Sequence, residues 1–540
     1  MKDISSTGSF INFYLNNYIY VDKTQYIRDL IKLERVFISR PRRFGKSLTL
    51  DTIATLFETG VEPYFKGTWI YDKWTEPTYP VLRLNFLDLD KYSLEHFKQK
   101  LNAIISSFAR DINVKNYEEK VEPEDTIYFL LDELRKEKRQ IVILIDEYDC
   151  QMTANINNET LYKQFQEKIK SFYATIKNKW PIKFLGITGV TRLKDVEIFS
   201  IGSDINDITN DSVYSQMIGF TRDEIKKYYI DYLTLAASYE NKCRVEEVTD
   251  TQIESMLDMM AQNYDGYCFD EFYKKKVFST WSVNKFFQSV VSNKFVYFGE
   301  YWYDNGGLPS ILVNYLKTHE LNIFEYLDKD KFLKVSSDDF KNPTALTTIN
   351  QNVLMCQTGY LTLRSDLNKT STVALGIPNG EIYKALNRLL ANNIFKGNTD
   401  ITDDYGRSLL EVGTVDDIIN LFNSALNSVS YDNYPIVSES SVQNMLKLYL
   451  LGAHQKVLSE LHEAKGRADL VVNTDNRRIV FEFKYAKNET EAKSKLLDAV
   501  EQIKTRDYGN IVPKKTELLR IAAVFNADPK VRAFTEYQKV

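Results

Sequence analysis

Near its C-terminal end the chain sets two carboxylates and an ammonium on neighbouring apolar runs. The first run is Gly466-Arg467-Ala468-Asp469-Leu470-Val471-Val472; the second, four turn-like residues later, is Arg477-Arg478-Ile479-Val480-Phe481-Glu482-Phe483-Lys484. So tight a junction predicts a β-hairpin. With Asp475-Asn476 as a two-residue loop, Asp469 and Glu482 fall directly opposite each other, and Lys484 shares their face because side chains alternate along a strand. The two carboxylates suit Mg²⁺, or Mn²⁺ in its place, while the ammonium orients a water and meets charge developing on a phosphate. The chemistry expected is metal-assisted phosphodiester hydrolysis, with Asp469 and Glu482 as metal ligands and Lys484 as a catalytic cation. The competing reading is a solvated hairpin whose surface charges contribute little.

A second constellation lies near the N-terminus. Val36-Phe37-Ile38 leads into Ser39-Arg40-Pro41-Arg42-Arg43-Phe44-Gly45-Lys46-Ser47, and Leu48, Leu50, Ile53, Leu56 and Phe57 follow at helical spacing. Strand, loop, Gly-Lys-Ser and helix form a phosphate cradle. Backbone amides from Arg43 through Phe44, Gly45 and Lys46 to Ser47, with Leu48 in the first turn, would hold ATP phosphates, and Lys46 would meet the β- and γ-phosphates. Arg40 stands where the first glycine of the usual pattern belongs.

The partner motif is Ile141-Val142-Ile143-Leu144-Ile145-Asp146-Glu147, an apolar run long enough for a central parallel strand whose acidic end lies at the ligand-binding edge. Asp146 would hold Mg²⁺ with Ser47, and Glu147 would orient or deprotonate the attacking water. Two acids ending a buried strand are costly unless compensated, and a Mg²⁺-nucleotide would compensate them. Phe184 to Arg192 predicts the neighbouring strand, where Thr188 or Thr191 could sense the γ-phosphate and Arg192 could neutralise transition-state charge.

The elements that must position these residues alternate. A strand at Tyr79 to Phe86, helices at Leu94 to Ile112 and Ile127 to Lys136, and the Asp146 strand predict a parallel sheet covered by helices. Beyond Thr209 the pattern turns helical. Thr221 and Glu224 predict a capping box heading a helix to about Leu235, and Trp281 to Val291 opens another. Tyr264-Asp265-Gly266-Tyr267-Cys268-Phe269 is an aromatic turn, read as a packing cluster in preference to a base-stacking platform. Between about 345 and 425 no catalytic constellation is visible, and a helical or winged-helix connector rests on fold analogy alone.

Composition excludes several classes. Of 540 residues, 44% are hydrophobic and 26% charged, ordinary values for a multidomain globular chain. No apolar stretch has the length of a membrane span and the opening residues lack a signal peptide's apolar run, so a cytoplasmic location is expected. The cysteines, Cys150, Cys243, Cys268 and Cys356, are too scattered for a zinc ribbon or a disulfide framework. His454 and His462 flank the hairpin, where either could touch a phosphate, though structural roles are commoner for histidine. The net charge is −5, but residues 484–540 hold 12 Lys plus Arg against 8 Asp plus Glu, compatible with a local nucleic-acid face.

Taken together, Tyr20-Val21-Asp22-Lys23-Thr24, the Arg40 to Ser47 loop, Asp146-Glu147-Tyr148-Asp149, Thr188-Gly189-Val190-Thr191, Gly359-Tyr360-Leu361-Thr362 and Gly466-Arg467-Ala468-Asp469 resemble one family. It is the AAA-ATPase-like proteins that carry a C-terminal PD-(D/E)XK nuclease domain, and the resemblance runs from about residue 10 to the C-terminus. It implies an AAA-like P-loop domain followed by a restriction-endonuclease-like fold, and an Arg-rich, glycine-poor phosphate loop is usual there. Such nuclease folds often carry an acid on their first helix, which makes Glu439 the candidate third catalytic carboxylate, with a helix N-terminal charge as the alternative. Gln502 matches a polar position of the family and could contact nucleic acid or the site water.

The resulting expectation is an α/β chain: a P-loop AAA-ATPase-like domain at 1–215, a helical lid at 216–345, a connector at 346–430 and a PD-(D/E)XK nuclease domain at 431–540. It would bind and hydrolyse ATP and cleave nucleic acid, DNA in preference to RNA, with nucleotide gating cleavage. A homo-oligomer formed through the ATPase domain fits AAA-like architecture. The alternative is a regulatory ATPase whose nuclease-like domain binds nucleic acid or protein without cutting; a kinase or nucleotide-sensing scaffold is a further one.

Overall fold

Arg35–Ser39 (β1) is buried at all five positions, so both of its faces are covered. With Val81–Asn85 (β2), Ile141–Asp146 (β3), Ile182–Gly189 (β4) and Asn206–Asp207 (β5) it forms a parallel sheet in the order β2-β3-β4-β1-β5. β3 is buried throughout and β4 everywhere but Lys183 because both lie inside the sheet; β2 exposes Arg83 because it is an edge. β4 separates β1 from β3, so the carboxyl ends of all three converge on one crevice.

The computed structural model describes every residue except 178, 194–203, 305–309, 317–318, 320–322, 344, 396–403, 454, 464–465 and 509–515; of residues 303–304, 310, 404–406, 456 and 458–467 it describes the backbone only. His454 therefore lies outside the described residues, and so does the side chain of His462. The chain divides into two units, 1–319 with 330–382 and 320–329 with 383–540.

The first unit holds the parallel sheet and its helices, Leu94–Asp111 and Pro123–Lys136 among them. It also holds the helical segment after Thr209. The Thr221–Glu224 capping box is present, but its helix stops at Tyr228 and a second runs from Ile230 to Asn241. The break falls at Tyr229, whose buried ring stacks on Phe287 at 5.2 Å and whose hydroxyl donates to Asn284 at 2.6 Å. Tyr264 and Tyr267 of the aromatic turn are buried to 1% or less, so this turn is a packing element. Leu333–Ser336 (β6), Thr362–Leu363 (β7) and Thr372–Gly376 (β8) form a small antiparallel sheet in the order β6-β8-β7. Up to Ile382 these residues cluster with the first unit.

The second unit is built on a mixed sheet of Lys456–Glu463 (β9), Gly466–Asn473 (β10), Arg477–Ala486 (β11), Glu517–Asn526 (β12) and Ala533–Lys539 (β13), ordered β13-β12-β11-β10-β9. β11 and β12 are parallel, and the helix Glu489–Arg506 lies between them in sequence; the other pairs are antiparallel. Val471 and Val480 pack with Ala499, Val500 and Ile503 of that helix. Among the described residues no helix is long and apolar enough to cross a membrane.

Candidate functional sites

The phosphate loop is held open by its own side chains. Arg40 extends the β1 pairing through its backbone N–H to the Gly189 carbonyl, and its guanidinium, 1% exposed, donates to the carbonyls of Ser39 at 2.9 Å and Thr209 at 2.6 Å. It lies 4.1 Å from the centre of the Phe269 ring, and burial draws its pKa down to about 9 despite the nearby Asp207. Arg40 is thus a strut behind the loop, where the usual glycine would leave a gap. The Phe44 ring, buried to 1%, packs in a cage of Tyr267, Phe269 and Trp302, with ring centres 4.7 to 6.0 Å apart. Arg43 and Gly45 take positive φ values of 68° and 105°, turning the chain into the helix Lys46–Thr59; at Gly45 the missing Cβ makes that turn cheap.

Lys46 donates to the carbonyls of Arg40 and Pro41 at 3.0 and 3.2 Å and lies 3.7 Å from Glu147. Ser47 Oγ donates to Asp146 at 2.6 Å, and the other Asp146 oxygen accepts from Thr188 Oγ1 and from the Glu147 N–H at 2.9 Å. Glu147, at φ 52°, is pushed above the ordinary carboxylate range by burial and by Asp149 and Asp146, with Lys46 pulling the other way. Residues 42–49 and Glu147 line one end of a cavity of about 380 Å³; Tyr20, Val21, Gly219 and Trp281 belong to the remaining wall. The volume falls in the range of small-molecule sites.

Arg192 does not join this wall. Its guanidinium pairs with Asp207 and donates to the Lys341 carbonyl, while its backbone N–H donates to, and its carbonyl accepts from, the side-chain amide of Gln357. Arg42 also lines the cavity and, after Lys46, is the second cation that acts electrostatically on Glu147. Thr188 meets Asp146, whereas Thr191 is tied through its N–H and hydroxyl to Asp149. Asp149, 1% exposed, also accepts from the Val190 N–H, and the Tyr148 hydroxyl donates to the Thr191 carbonyl. These two residues, unassigned by spacing, staple the end of β4 to the end of β3.

In the second unit Thr474 and Arg477 close the hairpin around Asp475-Asn476, and Leu470 pairs with Phe481. The next step of this register sets Asp469 opposite Glu482. Asp469 Oδ2 accepts from the Phe483 N–H at 2.9 Å, and its carbonyl accepts from Gln443. Glu482 is 0% exposed; one oxygen accepts from Lys484 at 2.9 Å, while the other is buried without a hydrogen-bond partner. Burial, then Asp469, pushes its pKa up to about 7 against the pull of Lys484. Lys484 is held above its usual range: burial lowers it, but Glu482, Glu439 and Asp469 outweigh that. Glu439 opens the helix Glu439–Gly452 behind the Ser438 cap, reaches Lys484 at 3.3 Å, and adds its charge to those acting on Glu482.

An orphaned, fully buried carboxylate oxygen facing a second carboxylate is a hard-oxygen donor set that fits Mg²⁺ or Mn²⁺. Among the described residues no three His, Cys, Asp or Glu side chains form a cation cage. Mg²⁺ commonly takes one or two carboxylates and keeps its waters.

Residues 5–199 match the family described as predicted AAA-ATPase, and residues 437–534 match the PD-(D/E)XK nuclease superfamily. The chain thus carries an AAA-ATPase-like segment followed by a C-terminal PD-(D/E)XK nuclease-superfamily segment. In the AAA-ATPase-like part, the Arg-rich loop is explained by the Arg40 strut and the Phe44 anchor. A protein of Azotobacter chroococcum mcd 1, described as an uncharacterized protein in the vnfD 5′ region, is 25% identical over 532 residues, covering 95% of this chain and 94% of its own. The crystal structure of Cdc6p from Pyrobaculum aerophilum aligns with 68% of this chain and 93% of its own at 11% identity and a TM-score of 0.24, too slight a likeness to add to the strand order. Gln502 of the nuclease-superfamily domain donates to the Tyr508 hydroxyl at 3.3 Å, as does Arg506 at 3.1 Å.

Proposed function

We propose that the chain binds and hydrolyses ATP in the first unit and cleaves nucleic-acid phosphodiesters with Asp469, Glu482 and Lys484 in the second. The observation carrying the nuclease reading is Glu482, a buried acid with one oxygen unpaired beside Asp469 and one paired to Lys484. Burying a carboxylate this way costs stability unless something compensates it. Asp469 and Glu482 would hold Mg²⁺ or Mn²⁺, which when bound acidifies water and polarises the phosphate. Lys484 orients the nucleophilic water and meets charge developing on the phosphate oxygens, and Glu439 holds Lys484 in place.

In the ATPase site, amides from Arg43 to Ser47 bind the phosphates and Lys46 leaves its loop carbonyls for the β- and γ-phosphates. Ser47 and Asp146 would hold the Mg²⁺ that accompanies the nucleotide. Glu147, raised by burial, takes the proton of the attacking water, and Arg42 meets transition-state charge. DNA is favoured over RNA as substrate, ATP gates cleavage, assembly through the ATPase part is homo-oligomeric, and the work is cytoplasmic. The proposed functional segments are 1–215 for the ATPase, 216–345 for a lid, 346–430 for a connector and 431–540 for the nuclease.

The test is a panel of plasmid, single-stranded DNA and RNA incubated with the full chain, Mg²⁺ or Mn²⁺, with and without ATP, against Glu482→Ala. Cleavage that disappears in the variant supports the reading. ATP turnover with every polynucleotide intact would instead favour a regulatory ATPase, and equal cleavage with and without ATP would remove the gating.

A further inference from the structure

A second depression of the first unit, about 490 Å³, lies between the helix Phe10–Leu15, the segment around Tyr64 to Thr68, and the helix ends at Lys227 to Tyr232. Its surface is unlike that of the nucleotide cavity. Tyr14, Tyr18, Tyr64 and Tyr228 contribute rings, and Tyr14 is 45% exposed. Tyr14 and Tyr64 meet edge to face, with ring centres 5.6 Å apart and planes at 87°, so one ring is braced by the other. Lys2, Lys66 and Lys227 stand exposed on the rim. Two acids also line it. Asp22 is spent on the N–H and hydroxyl of Thr24 and on the Trp69 N–H, and Asp231 lies 4.0 Å from the Met1 amino group.

Aliphatic walls would suit a lipid or an apolar cofactor; tyrosine faces within a lysine rim suit flat, polar-edged rings joined by phosphates. Base-on-aromatic stacking tolerates any sequence because every base has a π-face, and each lysine neutralises one phosphate. A duplex keeps its base faces stacked inside, so only unpaired bases can use such rings. Phe13, Ile19 and Tyr20 line both this groove and the nucleotide cavity, so a single layer of side chains separates the two. Tyr20 is packed between Phe10 and Phe13 at 4.9 and 5.8 Å.

We propose that this tyrosine and lysine groove binds single-stranded polynucleotide, stacking unpaired bases on Tyr14 and Tyr64 while Lys66 and Lys227 take the phosphates, and that it senses nucleotide across the Phe13–Ile19–Tyr20 wall. The groove is built from residues of the first unit alone, and binding there does not depend on cleavage.

The test measures fluorescence anisotropy of labelled oligothymidylate, oligouridylate and a blunt duplex with the full chain in buffer free of divalent cations, where cleavage is silent. Both single strands should bind more tightly than the duplex, and the stronger of the two identifies the sugar preferred. Tyr14→Ala/Tyr64→Ala should weaken single-strand binding by roughly tenfold or more, and Lys66→Glu/Lys227→Glu should weaken it and flatten its salt dependence by about two phosphates. Duplex binding as tight as single-strand binding, or both double variants within about twofold of the parent with unchanged melting, overturns the proposal. Should the variants unfold, photocrosslinking of iodouracil oligonucleotide to the unaltered chain decides: adducts in residues 10–20, 62–68 or 227–232 support it, and adducts confined elsewhere, or no binding, overturn it.

Discussion

Ser47 and Asp146 are 99 residues apart in sequence and joined by a 2.6 Å hydrogen bond across the mouth of β4. That bond aligns the hydroxyl and carboxylate that flank the phosphate loop, and the rest of the ATPase site is arranged about it.

Lys46 and Glu147 should separate binding from turnover. Lys46→Ala removes the ammonium that would meet the phosphates and is expected to weaken a fluorescent ATP analogue by roughly 10- to 100-fold. Glu147→Gln keeps the pocket's shape and should bind within about threefold of the parent, yet release phosphate at least about a hundredfold more slowly. Undiminished phosphate release from Glu147→Gln would remove it as the base.

Arg42 and Arg192 offer a contrast. Arg42→Ala should lower ATP turnover by about tenfold or more, because its charge acts on Glu147 at the cavity. Arg192→Ala breaks the pair with Asp207 and should chiefly lower the melting temperature, leaving ATP affinity within about threefold. The reverse ranking in steady-state kinetics would return Arg192 to the catalytic role.

At the hairpin, Lys484→Ala should cost roughly a hundredfold or more in cleavage while oligonucleotide affinity changes only a few-fold. Lys484→Arg keeps the charge but not the compact ammonium and should recover only part of the rate. Since Glu482 must be ionised to bind metal and its pKa is up to about 7, cleavage at limiting metal should rise with pH through that value. A flat profile from pH 5 to pH 9 would argue against metal binding by Glu482.

Glu381 supplies a stability test. It is 1% exposed, accepts from Ser282 Oγ at 2.7 Å and the Trp302 N–H at 2.8 Å, and burial carries its pKa from 4.5 to about 8. The folded state therefore holds a proton that the unfolded chain has lost. The stabilising contribution is complete below about pH 4.5 and falls away as pH rises to about 8. Glu381→Gln, which stays neutral, should match the parent near pH 5 and exceed it at pH 9 by roughly 2–5 kcal/mol in urea unfolding. Parallel pH dependence in the two proteins would contradict this.

Much of the architecture was legible because it follows local rules. The β1 loop and helix, the β3 run ending in Asp146-Glu147, and the β10–β11 hairpin each combine a distinct periodicity with a turn of fixed chemistry, so neighbours in sequence fix neighbours in space. The register that pairs Leu470 with Phe481 follows from loop length, since a two-residue turn leaves one register, and Asp469 and Glu482 are the next residues along it. At Tyr229 helical periodicity continues in the sequence, whereas the structure divides the segment into Arg222–Tyr228 and Ile230–Asn241, with the Tyr229 ring stacked on Phe287 at the junction.

What the chain's linear order determined was therefore the type and spacing of the reactive groups: Lys46, Ser47, Asp146, Glu147, Asp469, Glu482 and Lys484, carried on a parallel P-loop sheet and a later hairpin. Tertiary structure alone decided how each is held. It sent Arg192 to Asp207, brought Arg42 to Glu147, turned Phe44 into an aromatic cage, made Asp149 the clamp of β4, and directed Glu439 to Lys484. The reason is physical: burial and pairing depend on side chains contributed by segments far apart in the chain, and a charge's partner is whichever group the packed fold leaves nearest to it.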